Sequence, residues 1–326
     1  MGFNISRYRE RIHKEFEVEV VTPMFLGGAN VNEAELRTPS LKGMLRFWWR
    51  ATCGISDIQE MKKNEAKIFG DTSYKAPFSA YIENVNHAVP LLKNLPKGET
   101  FEVKSSKGTF RLGIIDYLAY GLRDQKKGYL RQHFPVGTKF NVNFIFFNEE
   151  YENEVLKAFY SLVNFGGLGA RSRNGFGCLS INANTKPSIT MEGPLKSYSA
   201  TSANSDLFIA PKTNYGQWQD ALSAIGMVYK DARLSLEKRH IYEKRSLIGK
   251  PIVQDREANS NQRHAKPYYL HVGKTASDHY YGQILYMPYK YMAGQDGYSN
   301  ERFRKYTEAG IQMNNKIKEL FAGGAK

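Results

Sequence analysis

The sequence predicts an α+β fold: a ferredoxin-like (RRM-type) domain with insertions over residues 15–184, then a second mixed domain. Three observations predict it. Residues 15–26 and 139–147 alternate apolar with polar side chains, the mark of half-buried strands. Leu41, Met44, Leu45, Trp48 and Thr52, and again Val155, Leu156, Phe159, Leu162 and Val163, recur at the three- and four-residue spacing of a helix with one apolar face. Set in order with the strand-like residues 78–85 and 177–183, these segments read strand, helix, strand, strand, helix, strand.

Residues 1–14, MGFNISRYRERIHK, are mixed and charged and read as an N-terminal extension. The first strand sets Phe16, Val18 and Val20 against Glu15, Glu17 and Glu19 and stops at Thr22-Pro23, with Gly27-Gly28 as a turn. Pro39 disfavours helix at Thr38, and Ser40 suits the cap of the helix that follows, where backbone donors can meet a phosphate. Beside that helix's apolar face lie Lys42, Arg46 and Arg50, four residues apart, with Arg37 just ahead and no Asp or Glu between Leu36 and Ser56. Like charges at this spacing cost an isolated helix about 0.2–0.5 kcal/mol per pair, so the stripe calls for a counter-charge. A polyanion would supply one; a solvated basic face is the alternative.

A short polar helix is expected between Gly54 and Gly70. Residues 86–136 resist placement, apart from a strand-like 101–103, an apolar helical pattern over 113–123, and a basic stretch at 123–128 that reads equally as a loop facing a polyanion or a solvated one. In the strand at 139–147, Phe140, Val142, Phe144 and Phe146 share one face, and Asn148 caps a helix whose first turn carries Glu149, Glu150 and Glu152, as the helix dipole prefers. Next comes FGGLGARSRNGFGC, residues 165–178, with five glycines and two arginines. Gly167 and Gly169 permit close approach of another molecule, consecutive N–H groups can cradle an anion, and Arg171 and Arg173 add charge-assisted contacts. A tight helix-to-strand turn explains part of the glycine content without a ligand. The loop is not a nucleotide P-loop, since no Gly-Lys-Ser/Thr follows, and Ser172 stands where a dinucleotide fingerprint wants its third glycine.

Residues 185–206, rich in Ser, Thr and Pro, read as a linker or exposed crossover, and 207–326 as a C-terminal α+β domain. There Trp218, Leu222, Ile225, Val228 and Leu236 suggest a long helix ending in the basic stretch 237–245. A polar segment, 254–266, precedes aromatic strands at 268–272 and 280–287. Phe303, Tyr306, Gly310, Met313, Ile317 and Leu320 mark a last helix.

Lys and Arg number 46 against 32 Asp and Glu, a net charge of +14 that favours a polyanionic partner. No apolar run approaches the ~20 residues needed to span a bilayer, so no membrane is expected. The pattern MGFNIS matches a myristoylation signal but is discounted as a chance match. Cys53 and Cys178, the only cysteines, are too few for a disulfide framework or a cysteine-rich zinc site and read as small buried residues. No spacing argues for a metal, and no cofactor is expected. Seven histidines are scattered at 13, 87, 133, 240, 264, 271 and 279; His264 is the best placed for acid–base work, with a contact to a polyanion or a surface position as its alternatives.

These stretches together resemble the RAMP superfamily of CRISPR-associated RNA-binding proteins, and within it most resemble the first-numbered RAMP subunits of the type III-B (Cmr) effector complex. The family pattern R-x-P-S-x-K/R-G-x-L-R-F-W-W-R-A is met at residues 37–51, E-A-x-x-F-G at 65–70, and G-G-L/I-G-x-R/K-S/T-R-x-G-F/Y-G at 166–177. A weaker likeness, R-R/H-A-S-P, falls at 263–267 with Lys266 in place of the serine. The glycine loop alone indicates only the RAMP superfamily; the RFWWRA helix is the more specific signal. The resemblance implies a ferredoxin-like RAMP domain followed by a second, diverged RRM-like domain. It also implies a cytoplasmic, non-catalytic subunit at the end of the complex that holds the 3' portion of the crRNA, where it contacts that guide or its paired target RNA, with other RAMP subunits of the Cmr complex as partners. On this reading Arg37, Ser40, Lys42, Arg46, Arg50, Gly167, Gly169, Arg171, Arg173, Arg263 and His264 are the RNA-binding set. Two alternatives stay open: a metal-independent RAMP ribonuclease that processes CRISPR RNA, and an architectural subunit whose basic faces bind protein neighbours.

Overall fold

The computed structural model describes residues 11–323 except 31, 86–93, 106–107, 125–126, 183–188, 239–240, 250–262 and 294–298. Most of the expected N-terminal extension and of the polar segment 254–266 therefore lies outside the described residues. The chain divides into two compact units, one formed by residues 1–94, 121–172 and 176–189, the other by 95–120, 173–175 and 190–326.

In chain order the elements are β1 (Ile12–Val20), α1 (Thr38–Thr52), α2 (Ile58–Phe69), β2 (Phe78–Glu83), β3 (Thr100–Ser105), β4 (Gly108–Gly113), α3 (Ile114–Leu118), β5 (Arg123–Asp124), β6 (Gly128–Tyr129), β7 (Lys139–Phe146), α4 (Glu152–Phe165) and β8 (Leu179–Ile181). There follow β9 (Asp206–Ile209), α5 (Trp218–Leu234), α6 (Glu243–Ile248), β10 (Tyr268–Lys274), β11 (Tyr280–Tyr286) and α7 (Asn300–Gly323).

The first unit is built on an antiparallel sheet of order β2-β7-β1-β8. The period-two pattern does what it should: Val18, Val20, Phe140, Val142, Phe144 and Phe146 are buried on one face. There the Phe159 ring of α4 lies 5.0 Å from Phe16 and 5.3 Å from Phe144. The other face carries Glu15, Glu17, Glu19 and Glu83 beside Asn141, Asn143 and Lys139. β1 starts at Ile12, so residues 12–14, expected in the extension, are already strand.

α1 begins one turn earlier than its expected cap. Arg37, not Ser40, is the N-cap, with extended backbone and no side-chain capping bond. Pro39 sits in the first turn, where a missing N–H removes no helix hydrogen bond. Ser40 is thus inside the helix, its N–H donating to Arg37 O at 3.1 Å. Leu41, Leu45 and Trp48 are buried as the spacing requires, joined by Trp49 and Ala51, while Met44 and Thr52 are half-buried.

The second unit holds the antiparallel sheet β10-β11-β9 and the separate hairpin β3-β4. α5 buries Trp218, Leu222 and Ile225, and α7 buries Tyr306, Met313 and Ile317. β9, unforeseen in the sequence, pairs Ile209 with Gln283 at the end of the segment expected to be an exposed linker. That segment is partly packed: Lys196, Ala200, Thr201 and Ser202 are buried, and Lys196 Nζ donates to Thr201 O at 3.3 Å. Its small hydroxylated residues satisfy one another locally, Ser202 N–H donating to Ser205 Oγ at 3.0 Å, which makes burial tolerable.

Candidate nucleic-acid interface

The basic face of α1 has a protein counter-charge. Glu65, on α2 and only 7% exposed, accepts at Oε1 from Arg46 Nη1 at 3.1 Å and from Arg50 Nη1 at 2.9 Å, and at Oε2 from Arg50 Nη1 at 3.0 Å. The polyanion expected to satisfy all three cations is to that extent replaced by one buried carboxylate. Arg46 goes further: Nη2 donates to Phe69 O at 3.1 Å and to Gly70 O, and the guanidinium lies 5.6 Å from the Phe69 ring centre. It thereby closes the C-terminus of α2, where orphan carbonyls and the negative end of the dipole favour a cation. Lys42 has no carboxylate partner among the described residues; its Nζ lies 5.9 Å from the Phe78 ring centre. Lys42, Arg46 and Arg50 against Glu65 leave two positive charges on this face, with both arginine side chains 34% exposed. Arg37 lies just ahead, its Nε 3.6 Å from Glu35 Oε1 in an exposed pair.

Sequence reasoning missed Glu65 as a functional partner although a signal existed. Met61, Glu65 and Phe69 fall on one face of α2 at four-residue spacing, and all three are buried. A carboxylate in the middle of an apolar helix face requires a buried cation nearby.

The glycine loop turns largely inward. A Cβ on Gly169, whose φ is +90°, would collide with Phe25 O, and one on Gly167 would meet Phe176 O at 2.7 Å. The N–H of Ala170 donates to Phe25 O at 2.8 Å, that of Leu168 to Gly177 O at 2.9 Å, and that of Gly177 to Pro23 O at 3.0 Å. These glycines admit the protein's own backbone, and three of the loop's donors are spent on it, so the expected anion cradle is at most partial. Arg171 is exposed and holds a left-handed φ of +62°, unusual for a residue with a Cβ.

The other expected residues belong to the second unit. Arg173 Nη1 donates to Lys266 O at 2.9 Å, and its guanidinium lies 4.7 Å from the Tyr269 ring centre. The loop's second arginine is thus brought to the 263–267 motif. Arg263 there is exposed. His264 is not at the surface: it is 1% exposed and packed against Tyr289, Tyr291 and Tyr306, with ring centres 4.4, 4.8 and 5.1 Å away. Both roles proposed for it, RNA contact and acid–base group, require access that this enclosure denies. His133 is likewise buried, 4.9 Å from the Phe25 ring, and burial pushes its pKa down to about 4.

Electrostatics favour the helix side over the sheet. Glu15 is exposed on the sheet's outer face and would repel phosphate, and Lys139 of that face is taken up by Glu17, with Nζ 2.9 Å from Oε1. A cleft of about 380 Å³ at the C-terminal end of α1 mixes Glu150 and Glu154 with Lys67 and Lys157, and Glu154 Oε2 accepts from Trp49 Nε1 at 2.5 Å; it shows no bias toward anions. Among the described residues no cluster of His, Cys, Asp or Glu suits a metal ion, and no helix is long and apolar enough to cross a membrane. Cys178 is buried as expected, whereas Cys53 is half-buried, its Sγ 3.4 Å from Arg50 O.

Comparison with known proteins adds three findings. Residues 17–180 match the family model of the RAMP superfamily. Two proteins of Pyrococcus furiosus are similar in sequence. The CRISPR system Cmr subunit Cmr1-2 is 27% identical over 182 residues, covering 51% of this chain and 93% of that protein. Cmr1-1 is 28% identical over 172 residues, covering 52% of this chain and 47% of that protein, so the match spans about half of the latter. Among solved structures, the apo crystal structure of Cmr1 from Pyrococcus furiosus superposes with a TM-score of 0.57 at 18% identity, covering 92% of this chain and 97% of that one. A chain of the cryo-EM structure of the Type III-B Cmr-beta bound to cognate target RNA and AMPPnP, in the presence of ssDNA, gives 0.52 at 11% identity, over 93% and 99%. At these identities the two structures establish a common fold.

Proposed function

Because the chain belongs to the RAMP superfamily, we propose that it is a non-catalytic RNA-binding subunit of a type III-B CRISPR (Cmr) RNA-guided effector complex, acting in antiviral defence. On this reading it contacts the 3' portion of the crRNA, its paired target RNA, or both, and assembles with other RAMP subunits. The sequence likeness to two proteins named as Cmr subunits supports the complex. The sheet order β2-β7-β1-β8 supports reading the first unit as ferredoxin-like; the second unit, read as a diverged RRM-like domain, rests on the family resemblance alone.

The basic face of α1 carries the RNA reading. Lys42, Arg46 and Arg50 retain two net positive charges after pairing with Glu65, on a helix whose other side is anchored by fully buried Leu41, Leu45 and Trp48. Such a rigid cationic ridge suits phosphates better than base edges, so binding is modestly sequence-selective. The enclosure of His264 supports a role without catalysis.

The test is a salt titration of binding to unstructured single-stranded RNA. Log affinity should fall with log salt by about 0.7 for each phosphate contacted. A slope near zero would remove the RNA reading and leave the architectural one.

A further inference from the structure

The two arginines that share Glu65 are not equivalent. A guanidinium has five N–H donors in a fixed plane, and a phosphate is gripped best by two of them on one edge. Arg46 spends Nη1 on Glu65 and Nη2 on Phe69 O and Gly70 O, leaving no complete edge. Arg50 spends only Nη1, which bridges both oxygens of Glu65 at 2.9 and 3.0 Å. Its Nε and Nη2, the side-on edge, have no partner among the described residues, and a third of the side chain is exposed.

We infer that Glu65 is a positioning residue for RNA: it holds Arg50 by one nitrogen so that the Nε–Nη2 edge is presented as a fixed fork to a phosphate. Arg46 is the structural member of the pair, fastening α2 to α1. This rests on the RNA-binding reading above and divides the labour within it. Fixing the fork in advance lowers the ordering cost of a long side chain on binding. A buried carboxylate beside a phosphate site would otherwise be a handicap, since it cancels one of three positive charges.

The two roles of a carboxylate here predict opposite signs. If Glu65 only offsets charge, Glu65→Gln raises RNA affinity and steepens the salt dependence. If it positions Arg50, the same substitution lowers affinity per folded molecule although net charge rises by one. The experiment measures binding of polyuridylate to the full chain, to Glu65→Gln and to Arg50→Lys, with the folded fraction of each taken from thermal unfolding followed by circular dichroism. Both variants are expected to bind about tenfold more weakly, the scale of one lost charge-assisted hydrogen bond. Arg50→Lys keeps the charge and the salt slope while losing the fork. Tighter or unchanged binding by Glu65→Gln, or unchanged binding by Arg50→Lys, overturns the inference with the RNA reading intact. Should Glu65→Gln fail to fold, Glu65→Asp takes its place: it keeps the charge while drawing the carboxylate back by one methylene from Arg50, so weaker binding supports positioning and unchanged binding overturns it. Loss of the RNA reading itself looks different: the unsubstituted chain then shows no salt-dependent binding.

Discussion

The carbonyl oxygen of Phe25 occupies the space that a side chain at Gly169 would need. The same oxygen accepts the N–H of Ala170 at 2.8 Å, so the loop and the segment after β1 lock together through backbone alone. Gly169→Val should therefore lose stability by about 1–3 kcal/mol or more from backbone strain at positive φ, with the clash adding to it. Thermal unfolding checks this. RNA binding per folded molecule should stay within a few-fold, and a large loss in fully folded protein would restore a direct role for the loop.

Trp48 is fully buried beneath the basic face, its indole edge-on to Phe47 with ring centres 5.5 Å apart. Trp48→Ala should cost about 3–5 kcal/mol of unfolding free energy, read from denaturant titration. A cost below about 1 kcal/mol would mean that α1 does not anchor the ridge as described.

Lys42 and Arg46 should separate binding from stability. Lys42→Gln touches no ion pair among the described residues and should change stability by less than about 0.5 kcal/mol while reducing the salt slope by about 0.7. Arg46→Gln strips the end of α2 and removes half of Glu65's pairing, costing about 1–3 kcal/mol. Equal melting temperatures for the two variants would contradict the structural role of Arg46.

Acid should act through His133. Its pKa in the folded chain is about 4, below the ordinary 6.5, so the unfolded chain binds the proton more tightly. The stability owed to keeping this ring neutral is complete above pH 6.5 and is lost as pH falls from 6.5 toward 4. The full effect is on the order of 3 kcal/mol. In His133→Phe that part of the acid limb should flatten in a pH series of unfolding experiments; an unchanged limb would assign it to other groups.

Legibility in the sequence followed the range of the interaction. β1 and β7 and the buried faces of α1, α4 and α7 were readable because alternation and helical spacing are local consequences of burial on one side. β9 was not: four residues, Asp206–Ile209, are too few to show a period and are held by partners more than seventy residues away. Ser40 was misjudged because Pro39 fits the first turn of a helix as well as the position before one. Arg46 and Arg50 stood out by spacing, yet the carboxylate that holds them lies on the next helix. Charge counting within a single segment could not reveal it. His264 was legible as a motif residue but not as a buried one, since the three tyrosines around it lie 25 to 42 positions further along.

The tyrosine enclosure of His264 changes how genetic data on this chain would be interpreted. On the proposed function, a screen that scores loss of antiviral defence would register His264→Ala as a defect, because emptying a ring-lined cage weakens the C-terminal half and lowers the amount of folded subunit. The phenotype would mimic that of a missing general base. Subunit abundance and melting temperature, recorded alongside immunity, tell the two apart, and an aromatic replacement such as His264→Phe, which cannot carry a proton, should recover much of the activity if the ring serves only to fill space.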